Sequence, residues 1–298
     1  MKDIVLITGA NGHLAKVVSQ YLCNDYNVRH LTTRKILASN DSYFHWDINQ
    51  RYIDPKALEN CKHIIHLAGF PILKRWTRKN KNIMYDSRIN SANLILDTCK
   101  KMEIKPKTFI SASAIGIYDQ SIKGNIDEEA TKGKDWISNM AVDWENAANR
   151  FKELGTRVVQ MRISLIFSKK AGFLKYTLLS MKFGFGLILG NKNKKIRWIH
   201  ATDLARFIKE SLNKKNYNGP YNLACQENTS QEDFIKAMQK NLFPYSIIVK
   251  IPVFIINLLL GERAQIINYS PYLNTKKLEE HGFKCKINNL EQIITDLE

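Results

Sequence analysis

Acidic residues are in short supply in this chain: 28 Asp and Glu stand against 45 Lys and Arg, a formal net charge of +17 over 298 residues. Such an excess invites a nucleic-acid reading, because a basic surface gains affinity by releasing counterions. No helix-turn-helix, RNA-binding aromatic signature or zinc finger accompanies it, so no specific nucleic acid is expected and a generally basic, solvated surface is the reading. Two basic clusters stand out, Lys74-Arg75 with Arg78-Lys79-Lys81, and Lys192 with Lys194-Lys195-Arg197. Cysteine is also sparse, with 5 scattered residues (23, 61, 99, 225 and 285) that never form a CxxC pair. That excludes a disulfide framework and a zinc site, leaves no metal expected, and fits a reducing cytoplasm. Long hydrophobic runs are missing too. The first apolar run stops at a glycine turn, so no signal peptide is expected. The stretch from Ile247 to Leu260 is interrupted by Lys250, Pro252 and Asn257 and is too short to span a bilayer. It reads as a buried helix or as a face that packs on a partner.

What is present points first to the amino-terminal end. Ile4-Val5-Leu6-Ile7-Thr8-Gly9 is the pattern of a buried strand, and Leu14, Val17, Val18, Tyr21 and Leu22 recur at helical spacing. Between them lies Ala10-Asn11-Gly12-His13. Strand, glycine turn and amphipathic helix bring backbone N–H groups and a positive helix end to one point, where a dinucleotide pyrophosphate can sit. Gly9 permits the turn, Gly12 permits close approach of a phosphate, and Ala15 stands where a third small residue lets helix pack on strand.

The first half alternates strand and helix, the signature of a parallel sheet covered on both faces. Strands are expected at Asn27–Thr33, Tyr43–Trp46, Lys62–Leu67, Lys107–Ser111 and Arg157–Ile163, with helices over Lys81–Lys101 and Trp136–Leu154. Beyond residue 168 a helix is expected at Lys175–Lys182, a loop at the glycines 184, 186 and 190, short strands at Arg197–His200 and Tyr221–Ala224, and a helix over Asp203–Asn213. The expected architecture is α/β, a Rossmann-type doubly wound parallel sheet with a smaller, mostly helical C-terminal lobe. Residues 1–168 are expected to form the dinucleotide-binding Rossmann domain (NADP-binding, on the reading of the second strand that follows), its sheet completed by parts of 197–225, and residues 169–298 the substrate lobe, with 229–298 mostly helical.

The second strand indicates which dinucleotide. NAD binding calls for a carboxylate at its end to meet the ribose hydroxyls. Here the strand ends Leu31-Thr32-Thr33-Arg34. A cation at Arg34 suits a 2′-phosphate, so NADP(H) is preferred over NAD(H). An exposed loop charge is the plain alternative for Arg34.

Several stretches together are more specific than a Rossmann unit. They are Thr8-Gly9-Ala10-Asn11-Gly12-His13-Leu14-Ala15, Trp46-Asp47, His66-Leu67-Ala68-Gly69, Ser87-Arg88, Ser111-Ala112-Ser113-Ala114 with Ile115-Gly116-Ile117-Tyr118, Asp143-Trp144-Glu145, Trp198-Ile199-His200 with Asp203, and Gly219-Pro220-Tyr221-Asn222. This set resembles the epimerase-like (YfcH-type) family of the extended short-chain dehydrogenase/reductase superfamily. The resemblance implies that Gly9, Asn11, Gly12, His13 and Leu14 line the pyrophosphate turn, that Arg34 meets the 2′-phosphate and that Asp47 approaches the adenine. It places Leu67, Ala68, Gly69 and Arg88 around the rest of the cofactor, and Ser111 and Ser113 at the strand end facing the nicotinamide. Asp47 as a turn cap and Ser111 as a strand-end hydrogen bonder stay open beside those roles. Ala15 departs from the family's third glycine, and the basic loop at 190–194 and Tyr269–Asn274 depart in the presumed substrate region.

One absence outweighs these matches. The superfamily works through a Tyr-x-x-x-Lys pair on the helix after the serine strand, the Lys holding the Tyr in reach of its phenolate form. The corresponding helix, Trp136-Ile137-Ser138-Asn139-Met140-Ala141-Val142-Asp143-Trp144-Glu145, has neither, with Ile137 and Ala141 in their places. Replacement candidates are Tyr118, beside Ser111 and Ser113 as catalytic residues, then His200, Asp143 and Glu145. Arg75 and Arg88 are candidates for an anionic group on a small-molecule substrate. Two readings follow: an NADP(H)-dependent oxidoreductase or nucleotide-sugar-epimerase-like enzyme, or a non-catalytic NADP(H)-binding sensor or regulatory protein. A homodimer stays open.

Overall fold

The computed structural model describes residues 2–34 and 42–297. The chain divides into two compact units: Met1–Ile117 with Lys132–Arg162 and Leu204–Tyr221, and Tyr118–Thr131 with Ile163–Asp203 and Asn222–Glu298.

The first unit is built on an eight-stranded sheet. In chain order its strands are β1 (Ile4–Thr8), β2 (Asn27–Thr32), β3 (Tyr43–Asp47), β4 (Tyr52–Ile53), β5 (Cys61–His66), β6 (Thr108–Ala114), β7 (Arg157–Ile163) and β8 (Gly219–Leu223). Their spatial order is β8-β7-β6-β5-β1-β2-β3-β4. β1 pairs in parallel with β2 and β5, as do β2 with β3 and β5 with β6, while β4 runs antiparallel to β3. The strand order therefore reverses at β1 and β5, and the crevice beyond their carboxyl ends is where such sheets bind ligands.

The helices are α1 (His13–Leu22), α2 (Arg78–Tyr85), α3 (Ser91–Lys101), α4 (Trp136–Asn149) and α5 (Ala201–Asn213). On α1 the buried residues Ala15, Val18 and Leu22 follow the helical repeat and turn one face inward. The continuous helix expected over Lys81–Lys101 is interrupted by a π segment at Asp86–Asn90, which joins α2 to α3. Its wider turn re-aims Arg88 and Ile89 inward, and both are buried. Asp135 caps α4 by accepting the Ser138 amide at 2.8 Å, and Phe151, just beyond it, stacks on Phe109 of β6 at 3.7 Å in the core.

In the second unit Phe167 stacks on Trp198 at 4.9 Å, and a core of Leu174, Met181, Ile188, Phe234 and Met238 gathers around them. Two expectations need correction here. The glycines at 184 and 190 do not mark a loop: both have positive φ and bracket a strand, Phe185–Leu189, that pairs in parallel with Ile247–Ile251. The Ile247–Leu260 stretch is not one buried helix. Its β-branched first half is that strand, Pro252 ends it, and only Val253–Leu260 is helical, mostly exposed. The rest of the 229–298 region is mainly helical, with a short Tyr272–Leu273 strand paired to Asn125–Ile126.

Candidate functional site

The β1–α1 turn is tight by construction. Gly9 has φ +73°, and a Cβ there would lie 2.9 Å from the Leu67 carbonyl oxygen and 3.1 Å from the Ala68 backbone. Only glycine lets β1 and the end of β5 approach this closely. The Gly12 amide donates to the Gly9 carbonyl at 2.7 Å, and a Cβ on Gly12 would sit 3.0 Å from that oxygen. Gly12 is thus required by the turn itself, before any phosphate is considered. It is the N-cap of α1 and offers no side-chain cap, so the positive end of the helix is left to whatever anion approaches. Ala15 is buried against the sheet, while His13 and Leu14 are half-buried and Asn11 is exposed.

The turn is tied to the end of β2 through Thr32, whose hydroxyl oxygen accepts the Asn11 side-chain amide at 3.3 Å and the Arg34 backbone amide at 3.2 Å. The Arg34 side chain is exposed beside them. Asp47 accepts the Asn49 and Gln50 amides at 2.8 and 3.1 Å, so it caps the turn after β3.

A buried hub that sequence reading missed sits at the switch between β1 and β5. The Thr8 hydroxyl lies 2.9 Å from His66 Nδ1 and accepts the Leu67 and Ala68 amides at 3.0 and 2.9 Å. His66 Nε2 lies 3.0 Å from the Arg88 carbonyl oxygen. A carbonyl can only accept, so Nε2 carries the proton and Nδ1 accepts from Thr8. Burial pushes the ring down to about 4, keeping it neutral. The available signal was polar residues ending two adjacent buried strands.

Arg88 occupies the space above Gly69. A Cβ on Gly69 would meet its guanidinium at 3.1 Å, so the missing side chain makes room for the cation. Nη1 donates to the Met84 carbonyl and Nη2 to the Phe70 carbonyl, each at 3.1 Å, and the guanidinium lies 5.1 Å from the Trp144 ring centroid. Nε is buried without a partner, and burial lowers the group to about 10. A buried cation with an unsatisfied donor suits a ligand rich in acceptors.

The α4 helix shows what fills the place of the absent pair. Ala141 is buried, Ile137 is half-buried beside Gly116, and Tyr85 of α2 bonds Asp143 through its phenol. Glu145 is not a free base: Arg162 binds it at two points, both 2.8 Å, and Ser113 donates to the same carboxylate at 2.8 Å. The Ser111 hydroxyl donates to the Ala112 carbonyl at 2.9 Å. Both serines are buried. The structure thus brings Ser113 to Glu145, which the sequence had named separately. Tyr118 belongs to the second unit, fully buried, its hydroxyl donating to Asn222 Oδ1 at 2.5 Å.

Of the basic clusters, the second turns largely inward. Lys192 pairs with Glu232 at 3.3 Å, Lys194 donates to the Ile267 carbonyl, and Arg197 donates to the Pro271 carbonyl at 3.1 Å while lying 4.7 Å from the Tyr272 ring centroid. In the first, Lys74 and Arg75 are exposed, whereas Lys81 lies over Trp76 and Trp136. His200 is buried, with Nδ1 2.7 Å from the Thr202 hydroxyl and Nε2 3.6 Å from Asp296.

A glycine cradle that a Cβ would fill, an uncapped helix end and cations at Arg34 and Arg88 are a donor set that fits a dinucleotide phosphate. The family model for the NAD dependent epimerase/dehydratase family matches residues 5–224. An epimerase family protein of Staphylococcus haemolyticus is 31% identical over 305 residues, covering 98% of each chain. Among solved structures, human epimerase family protein SDR39U1 (isoform 2) with NADPH superposes with a TM-score of 0.86 at 20% identity, covering 98% of each chain. UDP-glucuronic acid 4-epimerase from Bacillus cereus in complex with NAD gives 0.70 at 18% identity, covering 97% of this chain and 96% of that one. These two likenesses concern the fold alone. From the match over most of its length and the relative aligned end to end, the chain belongs to the NAD dependent epimerase/dehydratase family.

Proposed function

We propose that this protein binds NADP(H) at the β1–α1 turn and transfers hydride to or from a small anionic carbonyl or hydroxyl compound. The observation that carries the reading is the end of β2, where Arg34 follows Thr32 and no carboxylate is present to receive a bare ribose. The human neighbour is solved with NADPH and the Bacillus cereus epimerase with NAD, so the preference rests on the residues at the end of β2. When bound, the nicotinamide would supply the hydride donor or acceptor. The turn backbone at Gly9 and Asn11 with the open end of α1 would hold the pyrophosphate, Gly12 shaping the turn through its bond to Gly9, and His13 and Leu14 would flank it. Leu67, Ala68 and Gly69 would border the central ribose, and Asp47 the adenine. Arg88 supplies an unsatisfied donor for an anionic group. Ser111 and Ser113 are the hydroxyls proposed to orient substrate; for Ser113 this means exchanging its bond to Glu145.

A second reading has its own observation. With Ile137 and Ala141 in place of the pair, and with Glu145 and Ser113 bound to each other, α4 offers no free proton carrier. That favours a cofactor-binding protein that works by occupancy rather than turnover. Substrate-dependent loss of NADPH absorbance across a panel of carbonyl compounds and sugar nucleotides supports the first reading. Tight NADPH binding with no turnover on the whole panel selects the second.

A further inference from the structure

The cysteines form no disulfide framework, all five being free, yet the second unit brings two of them together. Cys225, just beyond β8, is buried, and Cys285, far along the chain, is half-buried and packs against the same core. The Cys225 amide donates to the Trp198 carbonyl at 2.7 Å, which fixes its backbone beside the Trp198–His200 strand. Its thiol donates to the Ile287 carbonyl at 3.2 Å and is in hydrogen-bond contact with the Cys285 side chain.

The segment that carries Cys285 is held there by bonds that do not involve sulfur. Asp203, fully buried, accepts the Lys286 and Ile287 amides at 2.9 and 3.0 Å. Such charge-assisted bonds are strong, and the two residues after Cys285 cannot leave Cys225 without stranding a buried carboxylate. Downstream, Glu227 accepts the Leu290 amide at 3.1 Å at the start of the Leu290–Leu297 helix, and Asp296 of that helix lies 3.6 Å from His200 Nε2.

The other cysteines are placed differently. Cys61 and Cys99 are buried in the first unit, and burial pushes both thiols up to about 12. Cys23 is exposed at the end of α1, its thiol donating to the Gln20 carbonyl at 3.4 Å. Cys285 combines contact with a second thiol and access to solvent, between exposed Lys284 and Lys286. The hydrogen bond with Cys285, and then burial, push the Cys225 thiol well up, so it stays protonated and inert until its neighbour has reacted.

We infer that Cys285 is a peroxide-sensitive thiol and Cys225 its resolving partner, the two forming a reversible disulfide that fastens the carboxyl-terminal segment to the core of the second unit. In the first step the Cys285 sulfur attacks one oxygen of hydrogen peroxide, the O–O bond breaks, and a sulfenic acid and one water result. In the second the Cys225 sulfur attacks the sulfenic sulfur, the S–O bond breaks, and the hydroxyl leaves as water with the Cys225 proton. The two thiols together give up two electrons, and one peroxide is reduced to two waters.

The test is hydrogen peroxide treatment of the full chain carrying Cys23→Ser, which removes the exposed thiol, followed by alkylation, digestion and mass spectrometry. Two thiols should be lost, with the Cys225 and Cys285 peptides joined and both thiols recovered after dithiothreitol. Cys225→Ser keeps a hydroxyl donor for the Ile287 carbonyl and should leave Cys285 as a sulfenic acid that dimedone captures. Cys285→Ser should leave Cys225 unmodified. In the linked form, hydrogen exchange at the Lys286 and Ile287 amides and through Leu290–Leu297 should slow about tenfold or more. The inference is overturned if peroxide leaves both thiols free, if Cys285 passes to higher oxides while Cys225 stays free, or if the segment exchanges equally fast in the linked and reduced forms. The mapping and the exchange measurement use the chain with both cysteines in place, so neither depends on how the Cys225 and Cys285 variants fold.

Discussion

Arg162 clamps Glu145, Nε to Oε1 and Nη2 to Oε2, both at 2.8 Å and with the side chains only 2 and 8% exposed. A carboxylate on α4 named as a replacement base is thereby committed to holding α4 on β7, and Ser113 of β6 is fastened to it. Breaking one side of a buried, hydrogen-bonded pair strands the other charge, at about 3–5 kcal/mol. Glu145→Gln should therefore lower stability in urea by an amount of that order, whereas Glu145→Leu with Arg162→Met should recover most of it. A loss well under ~1 kcal/mol for Glu145→Gln would mean the pair is not holding the elements together.

Gly9→Ala tests the cradle. The substitution forces a left-handed backbone on a residue with a Cβ and drives that Cβ to 2.9 Å from the Leu67 oxygen. A loss of about 1–3 kcal/mol in thermal unfolding is expected, together with loss of NADPH affinity, because the two strand ends must separate. Unchanged stability in the variant would contradict the geometry of the turn.

Arg34→Ala addresses cofactor choice. Removing a charged partner of a phosphate is worth about 1.5–3 kcal/mol, roughly ten- to a hundredfold in affinity. NADPH binding should weaken by that factor with NADH binding nearly unchanged, read by fluorescence titration. A preserved NADPH preference in the variant would remove Arg34 from the assignment.

His66 sets a pH dependence with a definite sign. Folded His66 stays neutral down to about pH 4, while an unfolded His takes up its proton near 6.5. The unfolded state therefore binds more protons across that window. Stability is fully present above ~6.5 and falls as the pH drops toward ~4, by about 3 kcal/mol from this ring. Burial lowers His30, His63 and His200 as well, adding in the same direction. Urea unfolding at successive pH values should show a shallower acid slope in His66→Gln than in the parent. Equal slopes would show that His66 is not held neutral.

Tyr118→Phe separates packing from chemistry. The hydroxyl donates to Asn222, whose side-chain amide donates to the Ile126 and Asn274 carbonyls at 3.0 and 3.1 Å. Leaving that buried acceptor without its phenol should cost about 1–3 kcal/mol in thermal unfolding, with NADPH affinity unchanged. A variant as stable as the parent but impaired in turnover would return Tyr118 to the catalytic set.

The β1–α1 turn was legible because strand, glycines and helix are contiguous and each carries its own local pattern. Arg157–Ile163 was legible from Val158, Val159, Met161 and Ile163 gathered between turn signals, although Gln160 and Arg162 interrupt the run. What escaped depends on distant partners. The Phe185–Leu189 strand looks like a loop because its glycines are read before its partner at Ile247–Ile251 is known, and strand pairing across such a separation leaves no local trace. The His66 hub joins residues 58 and 22 positions away, so nothing near His66 announces it. Glu145 was visible as a carboxylate on α4, but its neutralisation by Arg162 exists only in three dimensions. The resemblance placed Gly69 around the cofactor; its missing side chain makes room for Arg88, which only the fold brings there.

The most direct test of the account is calorimetric titration of the folded chain with NADPH and, separately, NADH. One molecule of NADPH should bind per chain, more tightly than NADH, with the heat abolished in Gly9→Ala. If neither dinucleotide gives a binding heat even at millimolar concentration, the cradle between β1 and α1 does not hold the coenzyme and the proposed function falls with it.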